Sequence, residues 1–347
     1  MAPDRHPPLL VIVVAENRRR FRTHLTAHWE TWRPYTLAYP VMLALAGVGS
    51  TGSDSDGWKV AMSCVGLSAG WLGAHYLGDL LDRDLDAIAK PHRPIPSGRL
   101  TPTEAAVSAM VCFGLLIGIG IAIDWRTVPV SAAIIVGIFG YSARFKARGF
   151  SGNAVRGSLG AFGLFYGAMA VHSWATWTLL VSAFVFCCHD ISSNLVGTLR
   201  DAEGDRAGGY DTVAAVRGTT FTVALARSLY AAAIAAAMVV PWFLGKNNGA
   251  YVASLILSAM LGWYAFRLLS RSDHSQRIQA LRAHAMLNIE RLVLTAGFAT
   301  YAVDLGAVVP VLLVSILSAV VLHRIMREKH EFGANHPARA TSPTGPG

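Results

Sequence analysis

Residues 58–78 read WKVAMSCVGLSAGWLGAHYLG, and residues 79–86, which follow directly, read DLLDRDLD. A helix needs roughly 20 mostly apolar residues to cross a bilayer, and the first stretch meets that requirement. Its only Lys or Arg is Lys59, at the start. The second stretch places four carboxylates at the end of the first. The sequence therefore predicts a membrane-spanning helix that ends in a cluster of acids.

The rest of the chain has the same apolar character. Of its 347 residues, 53% are hydrophobic and 15% are charged, and the mean hydropathy is +0.42. Soluble domains carry about 25% charged residues, so this composition excludes a soluble globule, and it is too apolar for a disordered chain. The four cysteines lie in apolar runs without metal-type spacing and indicate small core residues.

Ten apolar segments are candidates for membrane spans, and they predict an all-α, multispanning transmembrane helical bundle with nine or ten spans. Gly and Ala are frequent inside them, as is typical where helices pack closely in lipid. The segments are Pro34–Ser50, Trp58–Gly78, Glu104–Ile123, Val128–Ser142, Val155–His172, Thr176–Gly197, Thr220–Gly245, Gly249–Leu269, Ala285–Val303 and Gly306–His323.

The basic residues indicate the orientation of these spans. The net charge is +9, but its placement argues against a nucleic-acid partner, because the basic residues concentrate in alternate loops and at both ends. Lys59, Arg126 and Lys246 are the only ones in the other loops. By the positive-inside rule, the basic loops face the cytoplasm. We therefore expect a cytoplasmic N-terminal arm at 1–32, a bundle at 33–323 and a disordered cytoplasmic tail at 324–347.

The acidic residues indicate where the chemistry lies. If the second span continues as a helix, Asp79, Asp82 and Asp86 fall at i, i+3 and i+7 on one face. Three carboxylates repel one another unless a cation lies among them, and Mg2+ typically uses one or two carboxylates plus phosphate oxygens. The alternative is a solvated acidic helix end beside Arg83.

A second acidic cluster follows the sixth span. Asp201 and Asp205 are four residues apart and share a helix face. Two such clusters, each at the cytoplasmic end of an even-numbered span, predict two halves of a bundle that face each other across a central cavity. They have the composition to hold two Mg2+ ions around one diphosphate, where the metals neutralise charge on the leaving group.

These motifs resemble those of the UbiA superfamily of intramembrane prenyltransferases. Gly78–Asp86, followed by Arg93-Pro-Ile-Pro-Ser-Gly98, is similar to the family's NDxxDxxxD…RPxPSG motif. Asp201-Ala-Glu-Gly-Asp205 with Gly209 and Thr212 resembles its second motif, DxxxD…G..T. The segments that resemble its other motifs are Arg33–Leu37 and Tyr141–Asn153.

The resemblance implies a bundle of nine helices around a cavity open to lipid, Mg2+ as cofactor, and transfer of an isoprenyl group from a prenyl diphosphate. The acceptor is expected to be a small molecule, most commonly aromatic in this family, and membrane lipid is a further partner. By position, the metal-binding carboxylates are Asp79, Asp82, Asp86, Asp201 and Asp205, and all but Asp79 are also assigned to catalysis. The residues expected to bind the diphosphate are Lys146, Arg144, Arg93, Arg200, Tyr141 and Asn153.

Two positions depart from the family pattern. Gly78 and Gly197 stand where the family usually has Asn. Either Asp79 and Asn194 compensate, or the acceptor differs from the usual ones, or the branch carries out another reaction. A tenth span would also exceed the usual nine.

Polar residues inside the spans are functional hypotheses by default, because they are costly in lipid. His75 lies one turn before Asp79 and is predicted to face the cavity as an orienting group or a base. Asp190 lies on the same stripe of the sixth span as Asp201, where it is predicted to accept a proton from the acceptor. For both, a structural hydrogen bond is the alternative. Arg291 is expected to pair with Glu290 or with a cavity acid.

Three other functions compete with prenyl transfer. A terpene cyclase on the same scaffold would capture the allylic cation within one molecule, and the missing Asn residues leave room for that outcome. A transporter or channel would suit the charged residues in the spans, but the acids concentrate in loops. A non-catalytic lipid-binding relative is the third alternative.

Overall fold

The computed structural model describes residues 9–52, 56–171, 176–270, 276–322 and 326. Regular structure in this part of the chain is helical, apart from an isolated β-bridge between Arg148 and Asp211. The helices are α1 (Leu9–Trp32), α2 (Ala38–Gly49), α3 (Gly57–Leu81), α4 (Arg83–Ala89), α5 (Pro102–Ile123), α6 (Thr127–Gly140), α7 (Gly149–Val171), α8 (Trp177–Ala207), α9 (Val213–Leu244), α10 (Gly249–Leu269), α11 (Gln276–Ala299) and α12 (Leu305–Leu322). A short 3-10 turn, Pro34–Thr36, precedes α2, and a π-helical turn, Tyr141–Phe145, follows α6.

The predicted all-α membrane bundle is confirmed. Each of the ten predicted segments coincides with a helix, from α2 and α3 through α5 to α12. Among the described helices, seven are long and apolar enough to cross a membrane: α5, α6 with its π turn, α7, α8, α9, α10 and α12. Helix α2 is apolar but short, and α3 and α11 carry polar side chains. The number of spans is therefore approximate.

Local sequence signals explain several helix starts. Thr101 accepts a hydrogen bond from the backbone N–H of Glu104 while the Glu104 carboxylate accepts from the Thr101 N–H, a capping box at the start of α5. Thr176, Thr212 and Asn248 likewise accept backbone N–H groups at the starts of α8, α9 and α10. Such side chains satisfy N–H groups that have no partner within the helix.

Helices α2 and α7 cross closely at the centre of the bundle. A Cβ atom on Gly47 would lie 2.2 Å from the carbonyl oxygen of Leu164, and one on Gly167 would lie 2.3 Å from that of Ala44. Only glycine permits this approach. Helix α3 packs on α2 and α5, α8 packs on α7 and α9, and α11 packs against α2, α8 and α10. The close α2–α7 contact therefore brings the two acid-bearing helices, α3 and α8, to opposite sides of one space.

The end of the N-terminal arm is folded onto the bundle. The indole Nε1 of Trp32 donates to the Tyr76 hydroxyl at 2.6 Å, and His28 Nδ1 lies at the same distance from that oxygen. The predicted disordered tail at 324–347 lies outside the described residues, except for residue 326. The cytoplasmic placement of the arm stays a prediction.

Candidate active site in the central cavity

A cavity of about 1440 Å³ lies between the ends of α3 and α8, with walls chiefly from α2, α3, α7, α8 and α11. The structure thus brings together two acid clusters that are far apart in sequence. Of the predicted site residues, Arg144 alone does not line the cavity. Those that do are His75, Asp79, Asp82, Asp86, Arg93, Tyr141, Lys146, Asn153, Asp190, Arg200, Asp201 and Asp205.

In the first cluster, two of the three carboxylates share an arginine. Arg93 Nη1 donates to Asp86 Oδ2 at 2.6 Å and lies 3.9 Å from Asp79 Oδ1. That Asp79 oxygen also accepts a hydrogen bond from Arg33, at the turn before α2. Both carboxylates are buried. The other oxygen of Asp79, Oδ2, is buried without a hydrogen-bond partner in the described structure.

The expectation that one continuous helix carries all three acids is wrong. Helix α3 ends at Leu81 and α4 begins at Arg83, with Asp82 between them. Asp82 therefore points to a different partner: its carboxylate accepts a hydrogen bond from Lys146 Nζ. The break separates the acids by partner, so that Asp79 and Asp86 meet at Arg93 while Asp82 faces Lys146.

The second cluster lies on the last turns of α8. Arg200 forms a bidentate pair with Asp201, with N–O distances of 3.0 and 2.6 Å. The Thr212 hydroxyl, at the start of α9, donates to Asp205 Oδ2 at 3.0 Å. The Asp201 side chain is 39% exposed. Its carboxylate is therefore accessible from the cavity.

The π-helical turn positions the basic side chain of Lys146. The Lys146 N–H bonds to the carbonyl of Tyr141, five residues earlier, which is the spacing of a π turn. Burial disfavours the charged amine, but the Asp82 carboxylate outweighs burial and raises the pKa of Lys146. Arg144, within the same turn, is exposed, so its predicted contact with the diphosphate is not supported by its position. The two basic side chains, two residues apart, therefore lie on opposite faces of the segment.

The polar residues predicted inside the spans line the inner part of the cavity. Asp190 accepts a hydrogen bond from Arg291 at 2.8 Å and one from the Tyr39 hydroxyl at 2.9 Å. Its partners are therefore not limited to the neighbouring His189. Arg291 thus pairs with a cavity acid, one of its two expected partners. His75 Nδ1 lies 2.9 Å from the Trp32 carbonyl oxygen. Nε2 is therefore the ring nitrogen that is left for contact with a ligand.

The two glycines that stand in place of the family's Asn have different surroundings. Nothing lies within 4 Å of the position that a Cβ on Gly78 would take. A Cβ on Gly197 would lie 3.3 Å from His284 Nε2. Asn194 bonds to Asn153 at 2.6 Å. Compensation by Asp79 or Asn194 stays a prediction.

Two cavity residues were not assigned a role from the sequence. Arg33 contacts Asp79, and Arg156 on α7 lies 3.9 Å from Asp190 Oδ2. Arg156 falls inside a predicted span. The rule that a polar residue in a span is a functional hypothesis, which was applied to Asp190 and Arg291, therefore applied equally to Arg156. The role of Arg33 had no such signal, because a basic residue at the start of a span is also typical of a cytoplasmic flank.

Known proteins are similar to this chain in sequence and in fold. A digeranylgeranylglyceryl phosphate synthase from Ignicoccus hospitalis is 28% identical over 270 residues, which cover 76% of this chain and 87% of the relative. One of the same name from Natronomonas pharaonis is 27% identical over 70% of this chain and 87% of its own length.

A solved structure of a UbiA homologue from Archaeoglobus fulgidus bound to GPP and Mg2+ superposes with a TM-score of 0.63 at 16% identity. The match covers 82% of this chain and 99% of that one, and it supports the fold. The sequence also matches the profile of the UbiA prenyltransferase family over residues 37–292. This chain therefore belongs to the UbiA prenyltransferase family.

Proposed function

We propose that this protein is an Mg2+-dependent integral-membrane enzyme that transfers an isoprenyl group from a prenyl diphosphate to a small-molecule acceptor. A bond forms between the acceptor and C1 of the isoprenyl group, the diphosphate leaves with the electrons of the C1–O bond, and the acceptor loses one proton. The observation that carries the proposal is the placement of two acid clusters on one cavity, with basic side chains between them.

The side chains present fit Mg2+. Asp82 and Asp86 on one side, and Asp201 and Asp205 on the other, offer the carboxylate oxygens that Mg2+ prefers. Asp79 adds a buried oxygen that has no hydrogen-bond partner among the described residues. Among the described residues, no group of three or more metal-binding side chains lies close enough to hold an ion; Mg2+ typically takes one or two carboxylates and completes its shell with phosphate oxygens. When bound, the metal neutralises charge on the departing diphosphate.

The basic side chains prepare the same site for an anion. Lys146 and Arg200 each pair with one carboxylate of the clusters, and Arg93 pairs with two. A diphosphate is a stronger partner for these cations, because its charge is higher and its oxygens accept several charge-assisted hydrogen bonds. When it binds, the cations exchange partners, and the released carboxylates become available as metal ligands. Before the diphosphate binds, Asp82 raises the pKa of Lys146 against the effect of burial, so the amine enters the exchange in its charged form.

The identity of the acceptor is less constrained by the site than the identity of the prenyl donor. The family resemblance predicts an aromatic acceptor. The relatives, whose named product is a doubly prenylated glyceryl phosphate, favour a singly prenylated glyceryl phosphate instead. Both classes therefore belong in the assay.

The test is a reaction of purified protein in lipid nanodiscs with Mg2+ and geranyl, farnesyl or geranylgeranyl diphosphate. We expect diphosphate release and a prenylated product, by mass spectrometry, with 4-hydroxybenzoate or geranylgeranylglyceryl phosphate. Cyclised hydrocarbon formed without an acceptor would identify a terpene cyclase. Absence of diphosphate release under every condition would reject both enzymes in favour of transport or lipid binding.

We further propose that the acid clusters face the cytoplasm, as the positive-inside rule indicates. Single cysteines at Gly57, the first residue of α3, and at Ser97, after α4, sample the two sides; both positions are exposed. In a variant whose four native cysteines are replaced by alanine, a membrane-impermeant thiol reagent added outside intact cells should label Gly57→Cys and spare Ser97→Cys. The opposite pattern would invert the orientation.

A further inference from the structure

A second charged cluster lies deeper in the cavity, well away from the acid motifs. It consists of Tyr39 on α2, Arg156 on α7, Asp190 on α8 and Arg291 on α11, all of which line the cavity. Asp190 precedes Asp201 by 11 residues on the same helix, which corresponds to roughly 16 Å along the helix axis. A diphosphate held between the acid motifs does not reach that far, so the inner cluster requires a separate explanation.

The carboxylate of this cluster is already fully engaged. Arg291 Nη1 donates to Asp190 Oδ1 at 2.8 Å, and the Tyr39 hydroxyl donates to Oδ2 at 2.9 Å. Only 1% of the Asp190 side chain is exposed. The absence of a side chain at Gly160 makes room for it, since a Cβ there would lie 2.2 Å from Oδ2. A carboxylate bonded in this way is a poor base, and it serves instead to hold Arg291.

Asp190 is the acid that both cavity arginines face. Arg291 Nη1 lies 2.8 Å and Arg156 Nη1 lies 3.9 Å from its carboxylate oxygens. Glu290, the other nearby acid, turns away from the cavity and bonds to His189 Nε2 and to the Tyr230 hydroxyl. Glu290 therefore bonds to neither arginine, and two guanidinium groups share one carboxylate.

Of the two arginines that face Asp190, Arg291 donates a hydrogen bond to it and Arg156 does not. In the described structure the Arg156 guanidinium makes no hydrogen bond, and its nearest carboxylate oxygen, on Asp190, is 3.9 Å away. The guanidinium lies over the Trp71 ring at 5.2 Å, and the Trp71 indole is itself held by a 2.9 Å bond to Thr36 Oγ1. With 22% of its side chain exposed, against 11% for Arg291, Arg156 presents its N–H groups to the cavity.

We propose that Arg156 binds an anionic group of the acceptor, a carboxylate or a phosphate, at the inner end of the cavity. An unmatched guanidinium in a poorly solvated site favours an incoming anion, and its planar N–H edge matches carboxylate and phosphate geometry. Binding there directs the rest of the acceptor toward the donor at the acid motifs. The proposal rests on the proposed prenyl transfer and narrows its acceptor to molecules that carry an anionic group.

The test compares matched pairs of probes that differ in that group. The pairs are 4-hydroxybenzoate with 4-hydroxybenzamide, and geranylgeranylglyceryl phosphate with its dephosphorylated form. Binding to the protein in nanodiscs is measured by calorimetry for the wild type, Arg156→Gln, Arg156→Lys and Arg217→Gln, the last a matched loss of charge at an exposed site outside the cavity. KM and kcat are measured for any probe that is turned over.

We expect at least one anionic probe to bind the wild type more tightly than its neutral partner. Arg156→Gln should weaken that binding by about ten- to a hundredfold, raise KM more than it lowers kcat, and leave the neutral partner unchanged. Arg156→Lys should retain part of the affinity, and Arg217→Gln all of it.

Three results would overturn the proposal. The first is that neither anionic probe binds the wild type better than its neutral partner. The second is an Arg156→Gln protein with unchanged affinity for the anionic probe. The third is inorganic phosphate binding as tightly as the probes, which would make the site a general anion site. Diphosphate release is measured separately. If the proposed function is wrong, the wild type releases no diphosphate. If only the role of Arg156 is wrong, the wild type still releases it.

Discussion

Asp201 and Asp190 lie on the same helix, yet their surroundings differ in kind. Asp201 is 39% exposed, at the mouth of the cavity, and pairs with the neighbouring Arg200. Asp190 is 1% exposed and accepts hydrogen bonds from side chains of two other helices, Tyr39 and Arg291. An exposed pair exchanges partners at little cost, whereas a buried pair that loses one member leaves an uncompensated charge. The mouth is therefore suited to exchange of ligands, and the inner cluster to holding a fixed charge pattern.

The largest effect should follow from removing a carboxylate at the mouth. Asp82→Ala and Asp201→Ala should each lower the rate of prenyl transfer by about a thousandfold or more, because metal and electrostatic stabilisation of a leaving group is worth several kcal/mol. A chelator should abolish activity and Mg2+ should restore it. Asp84→Ala is the control, since the Asp84 side chain, on α4 close to Asp82, is 92% exposed and does not line the cavity. Near-normal turnover of either cavity variant would contradict the metal assignment.

A substitution in the inner cluster should lower the free energy of unfolding of the protein. Asp190→Ala leaves Arg291 and Arg156 without their carboxylate, and breaking a buried pair in this way costs about 3–5 kcal/mol. The free energy of unfolding in mixed detergent micelles should fall by that amount, while Asp201→Ala changes it by less than about 1 kcal/mol. Equal losses for the two variants would show that the contrast between mouth and interior is wrong.

A smaller effect is expected from the basic residues of the π turn. Lys146→Met removes the cation beside Asp82 and should raise the KM for the prenyl diphosphate about ten- to a hundredfold, as expected for a lost charge-assisted hydrogen bond. Arg144→Met should leave it unchanged, because Arg144 is exposed and does not line the cavity. Steady-state kinetics at saturating Mg2+ measure both. Equal sensitivity to the two substitutions would mean that the turn is oriented differently when substrate is bound.

The smallest effects concern two glycines. Gly160→Ala places a Cβ 2.2 Å from Asp190 Oδ2, and overpacking of this kind costs about 1–3 kcal/mol. Gly78→Ala meets nothing within 4 Å and should stabilise α3 by up to about 1 kcal/mol, since alanine is the better helix former. Thermal unfolding of the two variants in the same detergent measures the difference. A stabilised Gly160→Ala protein would show that the carboxylate has another position available.

Much of the site was predictable because its residues belong to local patterns. The acids of the two motifs, Lys146 and Asn153 were identified from spacing and family resemblance, and the structure places them on one cavity. The break at Asp82 was not predicted, because the helical spacing of the acids is satisfied equally by a continuous helix. The outward orientation of Arg144 was open to prediction, because residues two apart on a helix do not share a face and Lys146 was already assigned to the diphosphate.

The amino-acid sequence alone predicts an all-α membrane bundle and identifies the two segments, 79–86 and 201–205, that carry the acids. These features depend on local hydropathy and on spacing along one helix. Which charges meet depends on contacts between segments far apart in sequence: Arg33 and Arg93 approach Asp79, Asp190 binds Arg291 across 101 residues, and Arg156 is left without a hydrogen bond in the described structure. Partners of buried charges are set by helix packing, here by glycine contacts such as Gly160 against Asp190, and not by the composition of any one helix.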